Sequence, residues 1–122
     1  MNDNKIVKEI AAYVATHLDG DLSLEALAGN LHYSKFYLAR TFARQTGDTI
    51  GKYIQRCRLD LAARQLVETN KPIVEIAYEA HYNSQQAFTL AFRRLYLCTP
   101  QVYRKRGHLD VQSCAGIGGM AA

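Results

Sequence analysis

His32-Tyr33-Ser34-Lys35-Phe36-Tyr37-Leu38-Ala39-Arg40-Thr41-Phe42 and His81-Tyr82-Asn83-Ser84-Gln85-Gln86-Ala87-Phe88-Thr89-Leu90-Ala91-Phe92 are two versions of one pattern. A shift of fifty residues aligns Ser34 with Ser84, Phe42 with Phe92, Arg44 with Arg94, Thr49 with Thr99 and Tyr53 with Tyr103. The His-Tyr pair keeps the same order one residue out of step, because Asn83 is inserted. Each copy reads as a short helix, a tight turn at His-Tyr, a second helix capped by serine, and a tyrosine-bearing start of another helix. Short helix, turn and capped helix is the helix-turn-helix arrangement, whose second helix fits a DNA major groove.

Working outward, the apolar spacing is helical over most of the chain and strand signals are nearly absent. Ile6, Ile10, Val14 and Leu18 recur every four residues and predict a first helix stopping near Gly20. Ser23 can cap the next, with Glu25 in its first turn and Leu24, Leu27 and Leu31 on its buried face. Leu38 and Phe42 face inward on the helix after Ser34, which runs to Gly47. From Thr49 a longer helix carries two apolar stripes, Ile50-Tyr53-Ile54-Cys57-Leu61 and Leu59-Ala63-Leu66-Val67, as expected of a helix with two packing partners. It ends near Asn70-Lys71-Pro72; Pro72 and Pro100 can each open a helix at its first position. The expectation is an all-α chain of about seven helices, with two helix-turn-helix subdomains joined by a long linker helix. The boundaries are residues 4–48, 49–67 for the linker, 68–107, and a flexible tail at 108–122 that is either the stub of a longer chain or a cloning remnant. Nineteen linker residues span roughly 29 Å, against about 34 Å for one turn of B-DNA. A monomer could therefore address two successive major-groove segments.

The bulk properties are compatible with this. The chain has 122 residues, 48% hydrophobic and 21% charged, with a net charge of +4. Residues 1–30 hold two bases and five acids, whereas residues 31–122 hold thirteen bases and six acids. Such a lopsided distribution suits one polyanion-binding side. No apolar run is long enough for a membrane span, and the charged N-terminus is unlike a secretory signal, so a cytoplasmic protein is expected. Cys57, Cys98 and Cys114 are odd in number and far apart, without metal-ligand spacing, so no zinc site, disulfide framework or cofactor is expected.

On the first recognition helix, Phe36, Ala39, Arg40 and Ala43 form the ridge opposite Leu38 and Phe42. Arg40 can bond guanine O6 and N7 together, and Phe36 can pack on sugar or a thymine methyl. Lys35 and Arg44 flank the ridge and suit phosphates. The second recognition helix presents Gln85, Gln86, Thr89, Leu90 and Arg93, and a glutamine can bond adenine N6 and N7. Ser34, Ser84, Lys52, Arg56, Arg58, Arg94, Arg104 and Lys105 complete the phosphate candidates, with Arg106 beside them. Arg64 and Lys71 read as solvated, and His17 and His108 as structural or surface residues.

At these residues the sequence resembles the DNA-binding domain of the AraC/XylS family of bacterial regulators, in particular the single-domain MarA/SoxS/Rob subgroup. The resemblance covers roughly Ile6 to Arg106. It is carried by Leu22-Ser23-Leu24-Glu25-Ala26-Leu27-Ala28, the Tyr33–Phe42 segment, Tyr53-Ile54-Gln55-Arg56-Cys57-Arg58-Leu59, Ile76-Ala77, Asn83-Ser84-Gln85-Gln86-Ala87-Phe88 and Thr99-Pro100-Gln101-Val102-Tyr103-Arg104. The resemblance implies monomeric binding to an asymmetric double-stranded promoter site and recruitment of RNA polymerase at stress or multidrug-resistance promoters. It also implies base reading by Phe36, Ala39 and Arg40, and by Gln85, Gln86, Thr89 and Leu90. The chain departs from the pattern with His32 and His81 in turns that usually carry glycine, Phe36 in place of tryptophan, and Leu90 where arginine is common.

Three other readings compete. An enzyme would need a catalytic constellation, and none emerges. A related module occurs fused to a DNA-repair methyl acceptor with cysteine in Pro-Cys-His, whereas Cys98 lies in Leu97-Cys98-Thr99-Pro100. The chain could also be a helical interaction domain with an incidental basic side, or the DNA-reading half of a ligand-sensing regulator.

Overall fold

Ser23, Ser34, Ser84, Thr49, Thr99 and Pro100 start helices where the sequence places them, whereas Pro72, expected at a first helical position, stands one residue earlier as the cap. The structure is a computed structural model that describes residues 3–109. His108 and Leu109, expected to begin the tail, instead end the last helix, and the rest of the predicted tail, with Cys114, lies outside the described residues. These fold into seven helices without a strand among them: α1 (Asp3–Thr16), α2 (Leu24–Leu31), α3 (Lys35–Thr46), α4 (Ile50–Glu68), α5 (Ile73–Glu79), α6 (Gln85–Tyr96) and α7 (Pro100–Leu109). The all-α expectation and the helix number hold. α1 stops at Thr16, one turn before Gly20, because side chains take its last carbonyls. Thr16 Oγ1 donates to Ala12 O and Tyr13 O at 3.3 and 3.2 Å. His17 Nδ1 donates to Tyr13 O at 2.8 Å, and its ring stacks on Tyr13 with centroids 3.9 Å apart. Such partners satisfy carbonyls that a helix end otherwise orphans.

The chain divides into two compact units, Met1–Cys57 and Arg58–Ala122. In the first, Ile6, Ile10 and Val14 of α1 meet Leu27 of α2, Leu38 and Phe42 of α3, and Ile50 and Ile54 of α4. In the second, Leu59, Ala62, Ala63 and Leu66 of α4 meet Ile76 and Ala77 of α5 with Phe88 and Phe92 of α6. Ile50, Tyr53, Ile54 and Cys57 of the first stripe thus serve one core and Leu59, Ala63 and Leu66 of the second serve the other, while Leu61 and Val67 belong to neither cluster. Full burial of each such large side chain stabilises by about 1.5–3 kcal/mol, which short helices need.

The repeat extends to individual hydrogen bonds. Ser34 Oγ accepts from the backbone N–H groups of Phe36 and Tyr37, and Ser84 Oγ from that of Ala87. Thr49 Oγ1 accepts from Lys52 N at 3.1 Å, and Thr99 Oγ1 from Val102 N at 3.2 Å. Phe42 meets Tyr53, and Phe92 meets Tyr103, each with ring centroids 5.4 Å apart. Both helix-turn-helix turns pass through a left-handed histidine, His32 at φ 64° and His81 at φ 69°. Histidine tolerates this region better than most side chains do. The following tyrosines close the turns: Tyr33 N donates to Ala28 O at 3.0 Å, and Tyr82 N to Ala77 O at 3.1 Å.

The recognition helices also end alike. Gly47 (φ 77°) donates its N–H to Ala43 O, and Leu97 (φ 65°) to Arg93 O, both at 2.8 Å. Gly47 suits the left-handed cap, whereas Leu97 carries a Cβ penalty there with a side chain 81% exposed. Replacing Leu97 with Gly is therefore expected to stabilise the protein by about 1 kcal/mol, and Gly47→Ala to destabilise it by a similar amount. Thermal and urea unfolding of the two variants check this pair of opposite signs.

Candidate nucleic-acid interface

Each recognition helix has one face committed to a core and one left to solvent. On α3, Leu38, Thr41 and Phe42 are buried. Opposite them Phe36, Arg40 and Ala43 are exposed and Ala39 is half-buried, so the ridge read from the sequence is an outward face. Phe36 is 73% exposed, which excludes it from the core. On α6, Phe88 and Phe92 are buried, while Gln85, Gln86, Leu90 and Arg93 are exposed and Thr89 is half-buried. The structure brings each expected set of base-reading residues onto one helix face.

The capping serines have a second capacity. Their Oγ atoms accept from backbone N–H groups, which leaves each hydroxyl proton available to an anion. A helix N-terminus favours negative charge, so a phosphate oxygen is a suitable partner.

The candidate phosphate contacts are not equivalent. Arg44, Lys52, Arg56, Arg94 and Lys105 are exposed, with Arg106 beside Lys105, and Arg58 is half-buried. Lys35 is held within the first unit: its Nζ lies 3.2 Å from Glu25 Oε2 and 5.6 Å from the centroid of the Phe36 ring. Glu25 was legible only as a helix-dipole residue, yet it also fixes Lys35. Its carboxyl is held below its ordinary value first by a hydrogen bond with its own backbone amide and then by Lys35. Arg56 approaches Asp48 at 4.0 Å, the outer limit of an ion pair. Lys71, expected to be solvated, donates to Glu79 at 3.0 Å in an ion pair that stays exposed.

Arg104 differs most from its expectation. Its Nε donates to Leu66 O at 2.7 Å and its Nη2 to Thr69 O at 3.3 Å, so it caps the end of α4 from α7. Gly107 supports the same packing, since a Cβ there would overlap the Val67 side chain. Tyr96, bonded through its hydroxyl to Asp60, ties α6 to α4 as well. The sequence signal for Arg104 was obscured because a basic residue in a basic segment reads as a phosphate ligand.

No cluster of three or more potential metal-ligating side chains occurs among the described residues, and no described helix is long and apolar enough to cross a membrane.

A family model described as a helix-turn-helix domain matches residues 27–106. The chain is 42% identical over 106 residues to the regulatory protein SoxS of Escherichia coli (strain K12), covering 87% of this chain and 99% of that protein. Its fold is similar to a solved transcriptional regulator of AraC-type DNA-binding-domain proteins from Chromobacterium violaceum, with a TM-score of 0.80, 25% identity and coverage of 84% and 92% of the two chains. It is also similar to the DNA-binding domain of AdpA, a global transcriptional factor solved with a target DNA. There the TM-score is 0.75 and the identity 25%, covering 87% of this chain and 96% of that one.

Arg104→Ala is expected to destabilise the second unit by about 1–3 kcal/mol, because two carbonyls lose their donor. Lys105→Ala should leave the melting temperature unchanged. Denaturation of both variants separates a structural arginine from an exposed neighbouring lysine.

Proposed function

The chain belongs to the AraC-type family of helix-turn-helix, DNA-binding transcription regulators, and from that premise we propose that α3 and α6 each enter a major groove of one promoter. The observation that carries this reading is the pair of serine-capped helices with polar or aromatic ridges facing outward. In the first module Arg40 reads guanine, with Phe36 and Ala39 packing beside it. In the second, Gln85, Gln86, Thr89, Leu90 and Arg93 face the bases. Lys52, Arg44, Arg56, Arg58, Arg94 and Lys105 contact phosphates, joined by Lys35 and the hydroxyls of Ser34 and Ser84. Arg104, half-buried and bonded to Leu66 O and Thr69 O, contributes by holding α7 to α4.

Two modules in one chain supply the two recognition helices that most helix-turn-helix proteins obtain by dimerising, so a monomer suffices. It acts in the cytoplasm as a non-enzymatic activator that recruits RNA polymerase, at promoters of the stress or multidrug-resistance kind implied by the resemblance to the MarA/SoxS/Rob subgroup. Transcription in vitro with purified polymerase tests activation, and sedimentation of the complex tests the one-to-one stoichiometry.

Selection from random duplexes at about 150 mM salt tests sequence reading, since phosphate contacts alone are weak there. A bipartite site with half-sites about one helical turn apart is expected; enrichment of no sequence would overturn the proposal. On the enriched site, Arg40→Ala should weaken binding by about 1–3 kcal/mol and relax one base position. Lys52→Ala should weaken all sequences alike and reduce the salt slope by about one. Fluorescence anisotropy across a salt series measures both effects.

A further inference from the structure

The fifty-residue repeat makes the two exposed ridges comparable position by position. Each ridge starts at the same distance from its capping serine, so Phe36 corresponds to Gln86, Arg40 to Leu90 and Ala43 to Arg93. The backbone frame is shared, but the chemistry changes at each of these positions. Where the first module has an arginine at mid-ridge, the second has a leucine that is 54% exposed. Phe88 and Phe92 face inward from α6 and are fully buried, with Leu95 half-buried beside them, whereas Leu90 is not part of that core.

We propose that Leu90 is a specificity-determining residue that reads the C5-methyl group of a thymine in the second half-site. The inference rests on the reading of α3 and α6 as recognition helices. Thymine alone among the four bases presents an apolar group in the major groove. Leucine has neither donor nor acceptor, so this methyl is the base-edge feature with which its contact is favourable. Set against the amino group of adenine or cytosine, or against guanine O6, the same side chain would strip water from a polar group without replacing its hydrogen bond. Gln86, one turn earlier on the ridge, carries the amide that pairs with adenine N6 and N7. The middle of the second half-site therefore favours A·T pairs, while Arg40 selects G·C at the matching place in the first.

The test starts from the duplex enriched by selection. Each thymine of the second half-site is replaced singly by deoxyuridine, which removes only the C5-methyl. One position should weaken the intact protein about fourfold, the equivalent of one buried methyl group. Leu90→Ala should bind the thymine and deoxyuridine duplexes at that position equally, with an unchanged melting temperature because the side chain lies outside the core. Leu90→Arg should move the preference there to G·C. Indifference of the intact protein to every deoxyuridine, or a loss that persists unchanged in Leu90→Ala, would overturn the assignment while leaving sequence-specific binding intact. Failure to enrich any sequence would instead defeat the DNA-reading proposal from which it follows.

Discussion

Helices of seven to twelve residues are marginal in water, because so few hydrogen bonds offset the cost of nucleation. The recognition helices α3 and α6 have twelve residues each, and α2 and α5 only eight and seven. Their order depends on one contact made twice: a phenylalanine late in the recognition helix against a tyrosine one turn into the next helix. Each pair joins consecutive helices, fixes the direction in which the chain leaves the recognition helix, and buries the side opposite the exposed ridge. Aromatic pairs contribute about 0.5–1.5 kcal/mol beyond their burial, a useful sum for cores this small. In the second unit the contact grows into a cluster in which Tyr96 packs on both Phe92 and Tyr103.

The hydrogen-bonding devices around that contact use different residues for the same task. Serine starts both recognition helices and threonine starts both following ones. Glycine and leucine end the recognition helices in the same left-handed conformation. What the two modules share is a set of satisfied backbone groups, and the side chains beyond those groups are free to differ. That freedom lets one scaffold carry arginine at mid-ridge in one copy and leucine in the other.

Much of this was legible in the sequence because helix starts are local events. A serine or threonine before an apolar-periodic run announces its own cap, and the left-handed turns were signalled by His32 and His81 standing where relatives use glycine. The ridges were legible for the same reason: burial of Leu38, Phe42, Phe88 and Phe92 determines which residues lie opposite. Contacts distant in sequence were not. Nothing near Arg104 indicates that its guanidinium reaches carbonyls of Leu66 and Thr69, and nothing near Lys35 indicates its pairing with Glu25. Leu97 is an instructive omission. Leucine does not announce a left-handed cap, yet its alignment with Gly47 under the fifty-residue shift was already present in the sequence.

Both recognition ridges leave a large apolar side chain in solvent when no DNA is bound, Phe36 on one and Leu90 on the other. Unguarded apolar surface of this kind promotes self-association. Each is accompanied by cations: Lys35 and Arg40 beside Phe36, and Arg93 one turn after Leu90. Two copies that brought such ridges together would also bring like charges together, whereas a duplex neutralises those charges as it covers the apolar groups. The basic residues thus act as gatekeepers of colloidal stability, making the surface least adhesive toward its own kind and most adhesive toward a polyanion.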